Sequence, residues 1–468
     1  MEGKSSSSQE GLSNLQRKVM RNTFINNSND LRLRDEFGSK QSISDVFRAS
    51  KSRDSRPIEV SGLSKVLGTQ GVSFSQSLDH LLQTTKELDL SLFPQTSEDA
   101  AAKLQDSLLR AEAGSTVVLP PIHLRVNSLR LCNPLTLKGS PGTVLELTNG
   151  SIVVDFSSQS KESILGRPSD RVVICELSLV FGADRRHLDS KAPMALFVVD
   201  TPNSFLEVRD CDIRSLSMEP HNTSAESSGL GAVQDVCLWV NGFSSRRVTG
   251  ETGFCSVFVT SCHISGFYEF VKGGSLCKVQ VEKCHISDCT GSALTLSNPC
   301  EALIHQSVIE RCQGSAIDIR LSGEGPRQNR GSRSGSLSTS KDMSPRTIAI
   351  TGNDLRATGA YGVTIWAEHQ ATIPISVTIS KNKITNCGKE GLAIRHLSLC
   401  DLSVSSNDFS VNKGSGCWLQ KVYKLYSESS ISISLNRAFD SHAGYGIYLY
   451  DTAGIIDGNE CFRNSCKH

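Results

Sequence analysis

The sequence is most informative at first for what it is short of. Aromatic residues make up only 6% of it, with three Trp and seven Tyr. Charge of one sign is also missing: 49 Lys+Arg against 48 Asp+Glu leaves +1 at neutral pH. That balance excludes a global field that would draw the whole chain to nucleic acid or to an anionic membrane. No stretch reaches the ~18 uninterrupted apolar residues of a spanning helix. The start, "MEGKSSSSQEGLSNLQRK", has no apolar h-region. The expectation is no nucleic acid, no membrane span and a cytoplasmic location. A Walker loop, a dinucleotide fingerprint, a Ser/His/Asp arrangement and a CxxC clamp with distal partners are all absent. No cofactor, metal or catalytic residue is expected.

Cysteine, in contrast, is plentiful, with sixteen residues. Secreted disulfide scaffolds are short chains. In this 468-residue chain the cysteines fall on a repeat, so reduced thiols are expected. Residues 1–92 read as a disordered tail: the first 60 hold twelve Ser and only scattered apolar residues. Ile43, Val46 and Phe47 stand at helical spacing there, a motif that a partner could fold. Residues 93–468 read as one repeat domain. In "TSEDAAAKLQDSLLRAEAGSTVVLPP" a helix is predicted over about 97–113, capped by Thr96 or Ser97 and stopped by Gly114. Its apolar stripe is Ala101, Leu104, Leu108 and Leu109. Short β-branched runs follow, among them "PLTLKG", "TVLEL", "SIVVDF", "RVVICELSLVFG" and "FLEVRDCDI".

One position organises the rest. Cys262, Cys284, Ser307, Asn353, Asn382, Asn407, Asn436 and Asn459 each follow Val or Ile by three residues, and Cys211 in "VRDC" fits the same template. A small residue comes nine or ten positions later, as at Ala293, Ala316, Gly362, Gly391, Gly416 and Gly446, and a short alternating strand follows it. Steps between anchors run 22, 23, 46, 29, 25, 29 and 23 residues, the 46 being one unseen coil or a coil plus an insertion. Such a period, built of short strands without helix, is that of a solenoid whose unit is one coil. An inward Asn at a tight turn can bond the backbone of its own turn and the next coil's amide. Asn353, Asn382, Asn407, Asn436 and Asn459 are therefore expected to form a ladder. The columns Cys255–Cys277–Cys300 and Cys289–Cys312–Cys387 read as stacks of small hydrophobes.

With these residues in view, the chain from about 97 on resembles the right-handed parallel β-helix, or pectin-lyase-like, superfamily. Its coils are similar to those shared by secreted carbohydrate-active enzymes and by intracellular scaffold proteins, the SHC-binding/Nessun-Dorma type and F-box β-helix proteins among them. The resemblance implies an all-β, three-sheet solenoid with an N-terminal capping helix. It also implies that substrate, in the enzymes, lies on the sheet formed by the strand after the small residue.

Alternation turns Thr295 and Ser297, Asp318 and Arg320, Thr364 and Trp366, Ala393 and Arg395, Trp418 and Gln420, and Tyr448 and Tyr450 outward on that sheet. The candidate binding face is Asp318, Arg320, Trp366, Arg395, Trp418, Tyr448 and Tyr450. Glycoside hydrolysis needs two carboxyl groups at set separation, and alternation supplies only Asp318. Polygalacturonase-type motifs and an Asp cluster able to hold Ca²⁺ are absent. Asp354, Lys383, Asp408, Arg437 and Glu460 alternate in sign one residue after the anchor, where they are expected to form a charge-compensated column. His263 and His285 share that slot without a third metal ligand.

The Ser/Gly/Arg-rich insertion at about 321–345 reads as a disordered loop with kinase-accessible Ser. "GIIDGNECFRNSCKH" ends without a polar cap, which predicts an open sheet end suited to a partner, to self-association or to a further segment. The functional expectation is a non-enzymatic intracellular scaffold or adaptor, in a cytoskeletal, cell-division or ubiquitin-linked setting. It would bind a protein partner through the aromatic and Arg-bearing face, although the tail has no F-box-like leucine pattern. The alternative is a carbohydrate-binding or carbohydrate-active protein.

Overall fold

The computed structural model describes residues 85–87, 97–148, 150–156, 171–182, 194–201, 203–216, 235–242, 254–322, 346–372 and 374–466. Nearly all of the Ser-rich tail and of the insertion, together with the motif around Val46, lies outside the described residues. Those described belong to one compact unit, Phe74–His468. Its architecture is a right-handed parallel β-helix, with sheets of thirteen, twelve and eleven strands among the described residues. A single coil shows the plan: Cys277–Glu282 in the first sheet, His285–Ser287 in the second and Leu294–Ser297 in the third. Each strand pairs in parallel with its counterparts one coil before and after, so alternate Val, Ile and Leu point into one continuous core.

Helix α1, Ser97–Arg110, is the entry helix. Leu104 and Leu108 are fully buried and Ala100 nearly so, whereas Leu109 is 47% exposed, a correction to the expected stripe. The 100–104–108 spacing keeps one face on the core, and residue 109 lies about 100° round the helix from 108. Gly114 ends the segment at φ 83°, and its N–H bonds Pro134 O. Thr85–Glu87, assigned by the sequence to the tail, pairs with Ser115–Leu119 and extends the first sheet backwards.

The 46-residue step is one coil with an insertion, because Glu301–His305 pairs directly with Thr347–Thr351. At the first corner of every coil the residue before the anchor is left-handed: Ser261, Lys283, Gln306, Lys381, Ser406 and Leu435 have φ between 50° and 57°. Such a non-glycine residue costs about 1–2 kcal/mol. The anchors offset this strain. Asn382 N–H donates to Asn407 Oδ1 at 3.0 Å, Asn382 Nδ2 donates to the same oxygen at 2.9 Å, and Asn407 Nδ2 donates to Ile379 O at 2.9 Å. The same bonds recur from Asn353 to Asn459. Each Asn thus serves the amide and the minus-three carbonyl of the preceding coil rather than its own turn. Those two groups are the ones the corner leaves unpaired inside the core.

The cysteine anchors are more than small hydrophobes. Cys262 Sγ donates to Val208 O at 3.6 Å and Cys284 Sγ to Val259 O at 3.5 Å, the same minus-three carbonyl of the preceding coil that an Asn would reach. Ser307 Oγ accepts the Cys284 N–H at 3.2 Å, and Asn353 Oδ1 accepts that of Ser307 at 2.9 Å. A second ladder, not foreseen, lies five residues on. Asn412 accepts from Cys387 N–H and donates to Ile384 O, both at 3.1 Å, and Asn464 repeats this with Ser441 and Ala438. Cys300, expected inside, is half-buried at the third corner.

Replacing Asn407 by Ala leaves the Asn382 N–H and the Ile379 carbonyl without partners. We expect a loss of about 2–5 kcal/mol in chemical denaturation, with Asn407→Asp costing less at low pH, where a protonated carboxyl can still donate. Burial raises the Cys255, Cys277 and Cys387 thiols to about 12, so they stay protonated and unreactive at neutral pH. In the folded protein a thiol reagent is expected to titrate no more than the five half-buried cysteines, Cys132, Cys300, Cys400, Cys461 and Cys466, and all sixteen only after unfolding.

Candidate functional site

The third sheet lays the expected outward residues in two columns. Thr295, Asp318, Thr364, Ala393, Trp418 and Tyr448 form one, and Ser297, Arg320, Trp366, Arg395, Gln420 and Tyr450 the other. The first column continues backwards through Lys272 to Trp239, which alternation was not followed far enough to include.

The columns differ in exposure. Asp318 is only 8% exposed, and Thr364 and Ala393 are buried, although all three sit at outward positions. Larger neighbours fold over them. Trp366 Nε1 donates to Asp318 Oδ1 at 2.9 Å and Arg320 pairs with Asp318 at 3.1 Å, the guanidinium lying 5.4 Å from the Trp366 ring centre. Asp318 is thus a bound counter-charge rather than a free acid on the face.

Arg395 is held differently. Its guanidinium stacks 4.0 Å over Trp418 and 5.3 Å from Tyr361, and Nη2 donates to the Tyr361 hydroxyl at 3.0 Å. Its Nε is buried without a hydrogen-bond partner. Lys389 Nζ lies 5.0 Å from the Tyr361 ring, and Tyr448 stacks on Tyr445 at 5.0 Å while meeting Trp418 edge-on at 6.3 Å. Tyr361, Lys389 and Tyr445 come from the corner between the second and third sheets, where strand alternation gives no guidance. Tyr450, 50% exposed, lies at the outer end of its column.

An irregularity shapes the face. Val363–Thr372 and Leu392–Leu399 lose register between Trp366 and Ala371, so Ala367, Glu368, His369 and Gln370 stand opposite His396 alone. His396 takes φ 58°, and its Nδ1 meets Ala367 O at 3.3 Å. Gln370 Nε2 donates to Ser398 Oγ at 3.1 Å, which pins the other end. The lip leaves Glu368 and His369 exposed and brings a second carboxylate to a face where the sequence supplied only Asp318. Its sole sequence signal is the break of alternation at "AEHQ". Two hollows flank it. One, of about 390 Å³, is lined by Asp318, Tyr361, Trp366, Glu368 and Arg395. The other, of about 510 Å³, is lined by Ser297, Asn298, Arg320, Trp366, Glu368 and Gln370.

A family model agrees on architecture over the later coils. Residues 337–467 match the family model described as right handed beta helix region. A mutant of the periplasmic alginate epimerase AlgG is 11% identical over 81% of this chain and 83% of its own, with a TM-score of 0.43. The A-module of the Azotobacter vinelandii mannuronan C-5 epimerase AlgE4 is 11% identical over 79% of this chain and 96% of its own, with a TM-score of 0.39. No curated protein matches the sequence.

Other clusters do not assemble into a site. The column expected to compensate its charges is in register, but among the described residues Arg437 and Glu460, 3.3 Å apart, are its only cross-coil ion pair between the five residues named. His263 and His285 pack edge-on at 5.0 Å, each against its own carboxylate, Asp212 or Glu310. Among the described residues no group of three His, Cys, Asp or Glu side chains is placed to hold a metal.

Asp318→Ala orphans the Trp366 Nε1–H and the Arg320 charge. The expected cost is about 1–3 kcal/mol in denaturant unfolding, with Asp318→Asn, which keeps an acceptor, losing less. An unchanged midpoint in the Ala variant would contradict the structural role given to this carboxylate.

Proposed function

We propose that the chain binds carbohydrate, an oligosaccharide bearing acidic groups, on the outer face of the third sheet. The observation that carries this reading is Arg395: a guanidinium framed by Tyr361 and Trp418, with no carboxylate among its bonded partners. An arginine held so by rings is a fixed, charge-assisted donor for an anion, and the half-buried rings of Trp366 and Tyr448 on the same face suit the C–H faces of a sugar. Shape favours a small chain over a flat protein surface. Both hollows, about 390 and 510 Å³, fall within the range of about 300–1,000 Å³ typical of ligand clefts. Their lining mixes charged, amide and aromatic groups, whereas the centre of a protein interface is depleted of charge. Binding is favoured over hydrolysis, because of the two carboxylates lining the first hollow Asp318 is already tied to Arg320 and Trp366. An adaptor role, with a protein partner on the same face, is the competing proposal.

A glycan array followed by calorimetry tests the choice. Acidic oligosaccharides are expected to bind, and Arg395→Gln and Trp418→Ala each to weaken them tenfold or more, with no cleavage of polygalacturonate. Binding that survives Arg395→Gln would move the site elsewhere. If no glycan binds and proximity labelling finds a protein whose capture needs Arg395 and Trp418, the adaptor reading replaces this one.

A further inference from the structure

The two hollows are not stacked along the coil axis. The first is lined by Ser315, Ala360 and Tyr361, near the starts of third-sheet strands, and by Arg395 in the coil after Tyr361. The second is lined by Ser297, Ser322 and Gln370, at the strand ends and in earlier coils. Trp366, Ala367 and Glu368 border both. A chain that occupies both must therefore cross the sheet obliquely, with the Trp366 ring beneath it and the Ala367–Gln370 lip beside it.

Their charges differ as well. In the first hollow the Arg395 guanidinium lies against Tyr361 and Trp418 and bonds the Tyr361 hydroxyl, and among the described residues no carboxylate bonds it, although Asp318 and Glu368 also line the hollow. In the second the only arginine, Arg320, already bonds Asp318 through both Nε and Nη2, and besides Glu368 and the imidazole of His369 the neighbouring donors and acceptors are the neutral groups of Ser297, Asn298, Ser322 and Gln370. Glu368 stands at the boundary, exposed and without an ion pair among the described residues, and its charge repels a second anion.

We propose that the hollows hold consecutive units of one oligosaccharide crossing over Trp366, an acidic unit beside Arg395 and an uncharged unit beyond Glu368. The ligand class is a glycan in which acidic and neutral sugars alternate, in preference to a homopolymer of uronic acids. The inference rests on the carbohydrate reading and adds to it a direction and a charge pattern.

Calorimetry with two tetrasaccharides of equal length tests it: a hyaluronan fragment, in which uronate and neutral sugar alternate, and an oligogalacturonate, in which every unit is acidic. The hyaluronan fragment is expected to bind about tenfold tighter. Glu368→Gln, an exposed substitution checked for folding by circular dichroism, should tighten the galacturonate several-fold more than the hyaluronan fragment and so erase most of the preference. Galacturonate binding as tightly as hyaluronan, or a ratio unchanged by Glu368→Gln, overturns the charge pattern while leaving carbohydrate binding in place. Failure of both sugars to bind at millimolar concentration overturns the carbohydrate reading itself.

Discussion

From Cys211 on, every anchored first corner of this protein is turned by a residue with φ between 50° and 67°, and that turn leaves an amide and a carbonyl facing inward with no partner in their own coil. The rung from the following coil supplies both. Asn353, Asn382, Asn407 and Asn436 do this with the same four bonds, and Cys284 or Ser307 with fewer. Every strand is consequently locked in register with its neighbour, since sliding one coil would detach the rung as well as the ladder of backbone bonds. The alignment of Trp366 beside Arg395 and of Trp418 beside Tyr448 follows from it.

The two halves of the ladder are chemically unequal. Between Cys211 and Cys284 the rungs are thiols, whose sulfur bonds to the preceding coil run 3.5 to 3.7 Å. From Asn353 onward they are carboxamides at 2.8 to 3.0 Å with an added side-chain relay from coil to coil. The groove and its lip belong to coils 315–396, most of which rest on the carboxamide part. A site that must hold an arginine against an aromatic ring gains from a backbone that cannot shift. In the same coils a column of glycines brings successive chains closer than any side chain allows: a Cβ on Gly391 would stand 2.6 Å from Gly416 O.

Much of this was legible in the sequence because it repeats. The anchors and the minus-three apolar residue are one physical requirement stated eight times, with the small residue nine or ten positions on stated six times, and the outward columns followed from period-two alternation. What could not be read was what happens once. Asp318 stands at an outward position and is nevertheless buried, because Trp366 and Arg320 bend over it from the neighbouring column. Tyr361 reaches the face from a corner, and the lip arises from three extra residues in a single strand. The second ladder is faint in the sequence for a different reason: only Asn412 and Asn464 mark it, and in the same slot the sulfurs of Cys289, Cys312 and Cys387 reach no further than a carbonyl of their own turn.

The corners also explain why function gathers where it does. From Cys255 on, the first corner always takes two residues, and from Leu294 on the second takes six or seven. Their stacked rungs and left-handed residues tolerate no other length. The third corner carries no comparable continuous ladder among the described residues, and its connections run from one residue, between Leu399 and Asp401, to twenty-five, between Arg320 and Arg346. In these later coils extra chain and the lip are added at that edge, where no rung is detached, whereas earlier coils also lengthen the second corner, by nineteen residues between Ser215 and Asp235. The third-sheet face borders the edge along its length, so side chains added there, as at the lip, can be brought over a rigid floor. Arg395, Trp366 and Glu368 lie where the fold permits variation and supplies rigidity together, and that conjunction, more than any single residue, marks the site.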